Sequence, residues 1–256
     1  MKIVPNIFTL LNLFFGCLAI TAILQNGMVT VSGSEGELLL MLPEKIYLAS
    51  LFIGLAALID FFDGMVARLC NVTSELGRQL DSLADVVSFG VAPGMIIYQF
   101  LRLAFSQQLN GLDTSILWLM PAFIFPCAGA YRLARFNVDT MQVFGFKGVP
   151  IPAAGLLVAS FPLLYWYSNV PWILSLIFSP WFWYAVILLV SYLMVSALPM
   201  MALKFKDFSV RANLPKLILL GVAIVSALLF QWIAVPLVFI TYVVVSLLTQ
   251  PGSSQL

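Results

Sequence analysis

Four aspartates, Asp60, Asp63, Asp81 and Asp85, fall within 26 residues of a chain in which only 9% of residues are charged. Asp60 and Asp63 are three apart and Asp81 and Asp85 four apart, so on helices each pair shares one face. Two such helices joined as a hairpin would gather four hard oxygen donors at one level. The chain has no histidine, and its three cysteines, Cys17, Cys70 and Cys127, are scattered. That donor set suits Mg²⁺ or Mn²⁺ and disfavours zinc. The absence of histidine also removes Ser-His and Cys-His nucleophilic pairs and HExxH metal sites. Any chemistry must run on carboxylates, metal ions, hydroxyls and basic side chains.

The intervening residues narrow the ligand. Gly64 and Ala67 follow on the carboxylate side of the first helix and Gly77 precedes Asp81 by four, so small residues face the site. They either admit a bulky ligand to the backbone or let the helices pack closely. Arg68 stands at the helix end, suited to phosphate oxygens. These residues together describe a divalent-metal site holding a polyphosphate. An ion-pair network is the structural alternative, but only Arg68 and Arg78 are at hand for four carboxylates.

The elements that position them belong in a bilayer. With 62% of residues hydrophobic and a mean hydropathy of +1.06, the chain cannot cover a water-facing surface. The net charge of +1 provides no basic field for nucleic acid. Apolar runs predict eight membrane helices, at about 4–24, 46–68, 80–105, 115–136, 151–167, 181–203, 214–230 and 233–248. The fold class is therefore all-α and polytopic. Residues 1–203 form a six-helix catalytic core, and 204–256 add two C-terminal membrane helices and a short tail. The first run reads as an uncleaved span. Gln231 and Trp232 form a tight turn, which leaves one of the last two runs a candidate re-entrant segment. The 25–45 connection reads as flexible and 168–180 as interfacial.

Lys2, Arg68, Arg78, Arg132, Arg135, Lys147, Lys204, Lys206, Arg211 and Lys216 fall on one side of this topology, and only Lys45 and Arg102 on the other. Retention of Lys and Arg on the cytoplasmic side places both termini and the aspartates there, in the inner membrane of a prokaryotic cell. An ionised carboxylate at a helix centre in lipid costs about 2.5 to 3.5 kcal/mol, so this cluster requires a compensating positive charge.

The pattern Asp60-x2-Asp63-Gly64-x2-Ala67-Arg68-x8-Gly77-x3-Asp81-x3-Asp85 resembles the signature of the CDP-alcohol phosphatidyltransferase family. The resemblance implies a membrane enzyme, commonly a homodimer, that transfers a phosphatidyl group from CDP-diacylglycerol to a hydroxyl. It implies two Mg²⁺ or Mn²⁺ ions among Asp60, Asp63, Asp81 and Asp85, with Asp85 as base. Gly64, Arg68 and Ser74 would contact the nucleotide lipid. Pro5-Asn6-x2-Thr9-x2-Asn12 with Gly16, residues 84–93, 132–137 and 146–154 resemble the serine-accepting branch of that family. This implies L-serine as acceptor. Val149 stands where that branch suggests Leu.

Asn6, Thr9 and Asn12 recur every three residues and form one polar stripe, either facing a cytosine edge or bonding a neighbouring helix. For the acceptor carboxylate, the basic groups expected at the aspartate level are Arg135, Arg132 and Lys147, in that order, although snorkelling topogenic arginines are common at helix ends. A cation transporter is the rival class. Against it, the carboxylates sit at a membrane face, and no repeated halves are visible. Inositol phosphate or glycerol phosphate are the rival acceptors.

Overall fold

The computed structural model describes residues 3–32, 38–69, 75–108, 113–138, 146–201 and 210–249. Helix α1 (Ile3–Gln25) leads through an antiparallel ribbon of β1 (Val29–Ser32) and β2 (Leu38–Met41) to α2 (Tyr47–Leu69). The third run is one 32-residue helical stretch: α3 (Glu75–Asp85), a π-helical turn over Val86–Val91, and α4 (Ala92–Ser106). After two 3₁₀ turns come α5 (Ile124–Val138) and β3 (Phe146–Lys147), then α6 (Ile151–Ala159), α7 (Phe161–Tyr167), α8 (Pro171–Ile177) and α9 (Pro180–Val195). Strand β4 (Pro199–Met200), α10 (Val210–Phe230) and α11 (Ala234–Leu248) complete the chain. Prolines at the first or second position start α6, α8 and α9, where a missing N–H leaves no bond unmade.

Each expected apolar run is helical over most of its described length, although 181–203 leaves the helix after Val195 and carries β4, and the expected eight crossings are not all met by length. Five helical stretches are long and apolar enough to cross a bilayer, or six when the bent pair α8 and α9 counts as one. The 151–167 run is shorter than a full crossing and breaks into α6 and α7 at Ser160. Helices α8 and α9 meet at 78°, so α8 lies across the bundle end, with Trp172 and Leu176 exposed and Ile173 and Ile177 buried. Between α10 and α11, Gln231 takes the left-handed region at φ 49°. The two helices pack side by side beyond that 3₁₀ turn, so the chain reverses there. The 25–45 connection, expected to be a flexible loop, instead carries the β1–β2 ribbon, with Val29 opposite Met41.

Hydrogen bonds separate two ends of the bundle. At one end Tyr167 donates to Glu44 at 3.0 Å, Gln107 to the Leu40 carbonyl and Tyr184 to the Trp118 carbonyl. The aspartates occupy the other. Between them Trp183, fully buried, stacks on Phe100 at 5.0 Å and meets Phe161 edge-on at 4.9 Å. Helix α1 runs along α2 and crosses the π turn, where Gly16 permits close approach: a Cβ there would lie 2.4 Å from Ser88 Oγ.

The aspartate end is closed by a small antiparallel pairing of β3 with β4, Phe146 opposite Met200. Gly148 follows at φ 75°, donating its N–H to the Leu198 carbonyl at 2.9 Å while Val149 donates to Leu193. A Cβ on Gly148 would lie 2.3 Å from the Met194 carbonyl oxygen. Gly148→Ala should therefore destabilise the protein by about 2 kcal/mol or more, through both backbone strain and the clash. Thermal unfolding in detergent checks this. An unchanged midpoint would contradict the tight junction.

Candidate active site

The site is assembled from the end of α2, the whole of α3 and the first turns of α1. Asp60, Asp81 and Asp85 each offer an oxygen, and these oxygens lie within 4.8 Å of one another. Asp63, one turn beyond Asp60, is held from α1: Thr9 Oγ1 donates to Asp63 Oδ2 at 2.5 Å. Its other oxygen, Oδ1, is buried with no hydrogen-bond partner. Asp85 is likewise held from α1, accepting from Asn12 Nδ2 at 3.3 Å. Asn12 is 1% exposed and its Oδ1 is also buried and unpartnered. The polar stripe expected on α1 thus reaches the carboxylates by interhelical bonds through Thr9 and Asn12, while Asn6, half-buried, precedes them by one turn.

The π turn explains how α3 presents its aspartates. A π turn takes in one residue more than an α turn, which rotates the faces that follow relative to those that precede. Before it, Asp81 and Asp85 face the site. Within it, Ser88 is fully buried and donates to the Asn12 carbonyl at 3.0 Å, and Gly90 packs against Pro126 and Ile151. Ser88 so fixes the α1 turn whose side chain bonds Asp85. It lies in the 84–93 segment that carried the resemblance, but no periodicity marked it as a positioning residue.

The basic groups fall differently from their expected order. Arg135 is exposed and donates to the Val195 carbonyl at 3.2 Å, which ties α5 to the end of α9. Arg132 is 8% exposed, and its Nε has no partner. Its helix, α5, packs against α3 and against the π turn that follows Asp85. Lys147 is exposed on β3. Ser74 and the side chains of Ala67 and Arg68 lie outside the described residues. A Cβ on Gly64 would meet nothing within 4 Å, so this glycine faces open space and is not a helix-packing contact. Arg78 is committed to an exposed ion pair with Glu75 at 2.7 Å and to the Asn137 carbonyl.

Among the described residues no Lys or Arg nitrogen lies within 4.0 Å of any of the four aspartates. Asp60, Asp81 and Asp85 thus converge, with the orphaned buried oxygen of Asp63 one turn from Asp60, and without a cationic partner among the described residues. That arrangement fits a hard divalent cation. The oxygens of Asp60, Asp81 and Asp85, all within 4.8 Å of one another, could together hold one. If the quartet holds such ions, Asp81→Asn should weaken Mn²⁺ binding to the purified protein by about tenfold or more, since a near-isosteric neutral group removes charge with little change of shape. Titration followed by electron paramagnetic resonance checks this independently of turnover. Equal Mn²⁺ affinity in the variant would reject the assignment.

Comparison with known proteins agrees with this geometry. Residues 2–181 match the sequence profile of the CDP-alcohol phosphatidyltransferases. The chain is 36% identical over 163 residues to the CDP-diacylglycerol--serine O-phosphatidyltransferase of Bacillus subtilis, covering 63% of this chain and 77% of that one. It is 42% identical over 107 residues to the protein of the same name in Methanocaldococcus jannaschii, covering 42% and 46%. With the archaetidylserine synthase of Methanothermobacter thermautotrophicus it shares 33% over 144 residues, 56% and 58%. The matched part therefore spans about half the length of the archaeal relatives, and α10 and α11 lie beyond the family match. Because that match holds all four aspartates and the α1 residues that brace them, the chain belongs to the CDP-alcohol phosphatidyltransferase family.

Proposed function

We propose that this protein transfers the phosphatidyl group of CDP-diacylglycerol to the hydroxyl of L-serine, forming phosphatidylserine and CMP. The observation that carries this reading is a buried, incompletely bonded arginine, Arg132, beside an aspartate quartet on the family's spacing. Relatives named for the serine reaction in bacteria, yeast and archaea support the choice of acceptor.

In this reading Asp60, Asp63, Asp81 and Asp85 hold Mg²⁺ or Mn²⁺, two ions per site. When bound, such ions neutralise the pyrophosphate and the charge developing on the departing CMP. The chain's own residues do the rest. Asp85, oriented by Asn12, accepts the serine hydroxyl proton as the serine oxygen bonds the diacylglycerol-bearing phosphorus and the bond from that phosphorus to the bridging oxygen breaks. Gly64 leaves room for the nucleotide lipid against α2, and Arg68, Ser74 and the α1 stripe of Asn6, Thr9 and Asn12 are its proposed contacts on the family's pattern. Arg132 grips the serine carboxylate through two parallel N–H groups, ahead of Arg135, whose Nη1 is bonded to Val195, and Lys147.

The distribution of Lys and Arg puts the aspartate end and both termini in the cytoplasm, beside the pool of soluble serine. A homodimer, the common state of the family, is the proposed assembly. Residues 1–203 form the catalytic core and 204–256 an appended hairpin.

Purified protein given CDP-diacylglycerol, Mn²⁺ and radiolabelled serine should move label into the lipid phase, whereas labelled inositol phosphate or glycerol phosphate should not. Label entering lipid only from a phosphorylated acceptor would reassign the substrate, and no transfer from any would reopen the transporter reading. Gly64→Leu should fold normally yet raise the CDP-diacylglycerol KM by about tenfold or more, because a branched side chain fills space the ligand needs. Arg132→Lys should raise the serine KM more than the CDP-diacylglycerol KM, and more than Arg135→Lys does. Equal effects at both arginines would return them to topogenic anchors.

A further inference from the structure

Asp63 stands apart from the other three aspartates. The oxygens of Asp60, Asp81 and Asp85 that lie within 4.8 Å of one another form a group without it. It follows Asp60 by one turn of α2, and its two oxygens are used differently. Oδ2 accepts the hydroxyl proton of Thr9, from helix α1, at 2.5 Å. Oδ1 is buried and has no hydrogen-bond partner among the described residues. Thr9 and Asp63 are only 2% and 7% exposed, so the bond is shielded from water, and α1 runs along α2 around it. Asp85 is also held from α1, by Asn12, yet it stays within the group of three. The two bonds from α1 therefore act on different parts of the quartet.

We propose that Thr9 is a positioning residue for one of the two ions: by occupying Oδ2 it leaves Oδ1 as the single oxygen Asp63 can offer, and so sets an ion position that Asp63 controls and the Asp60–Asp81–Asp85 group does not need. The proposal rests on the reading that the quartet binds divalent ions. A free carboxylate turns about its χ2 and can grip a cation with one oxygen or with both. With Oδ2 held by a hydroxyl from another helix, the two-oxygen mode is closed and the direction of Oδ1 is fixed. An oxygen already stripped of solvent and bonded to nothing has the most to gain from a cation, and a small octahedral ion such as Mg²⁺ is the least tolerant of a ligand that swings. The group of three accepts an ion on its own carboxylates, whereas the Asp63 position depends on α1 being seated against α2.

Thr9→Val is near-isosteric and replaces only the hydroxyl, while Thr9→Ser keeps it. Mn²⁺ titration of the purified protein, followed by electron paramagnetic resonance without any substrate, reads the ions directly. The wild type should bind two. In Thr9→Val one of them should weaken by about tenfold or more, the usual cost of losing a group that orients a metal ligand, and the other should stay within about twofold. Thr9→Ser should restore the weakened ion, and Asp63→Asn, with Thr9 intact, should weaken that same ion alone. Wild-type affinity for both ions in Thr9→Val overturns the proposal. Equal weakening of both ions, in Thr9→Val or in Asp63→Asn, also overturns it, since Thr9 would then brace the helix pair as a whole. A loss that Thr9→Ser fails to restore assigns the effect to methyl packing and overturns it too. The reading beneath is tested by the wild type itself. A wild type that binds no Mn²⁺ rejects the ions and the proposal together, whereas two bound ions that are indifferent to Thr9→Val reject the proposal alone.

Discussion

Four carboxylates converge at one end of an apolar bundle with no cationic side chain in contact among the described residues, and the rest of the site is built around that concentration of charge. Each carboxylate near hydrocarbon is expensive, and like charges a few ångströms apart repel. An arginine among them would relieve both, but would also occupy the space. Leaving the compensating charge to be supplied from outside keeps the cluster open to ions and to a phosphorylated ligand. Asp63 Oδ1, buried and unbonded, is the local sign of that arrangement.

Such a cluster needs its geometry imposed, because its own interactions drive it apart. Helix α1 provides this. Thr9 holds Asp63 and Asn12 holds Asp85, while Ser88 returns a hydrogen bond from the π turn to the backbone of Asn12. Gly16 lets the two helices approach closely enough for these bonds to form. A buried polar network of this kind is sensitive to the loss of any member, so small residues far from the reacting atoms set the positions of the carboxylates. The β3–β4 pairing and the left-handed turn at Gly148 perform a similar task on the opposite side, fixing the ends of α9 and α6 beside α5.

Much of this was legible in the chain. Hydropathy located the long helices, though not the short α8 within 168–180, because in lipid an apolar run must satisfy its backbone internally. The three- and four-residue spacings placed the aspartates on shared faces, and the structure brings Asp60, Asp81 and Asp85 together. Hydropathy could not tell crossings from shorter pieces: 151–167 breaks at Ser160, and α8 turns aside from α9. The π turn left no periodic signature, since a single inserted residue looks like ordinary apolar sequence, and with it Ser88 was missed. The ribbons were hidden by length, although the alternation in Val29-Thr30-Val31-Ser32 hinted at β1. Arg135 and Arg132 are three apart on one helix and equivalent by sequence. Only packing distinguishes the arginine that caps α9 from the one buried beside Asp85.

The central claim is that the aspartate quartet is compensated by bound divalent ions. Anomalous diffraction from crystals grown with Mn²⁺ tests it most directly. The account predicts anomalous density among Asp60, Asp81 and Asp85 and beside the unbonded oxygen of Asp63. Crystals saturated with Mn²⁺ that show no such density, with the Arg68 guanidinium lying among the carboxylates instead, would contradict it.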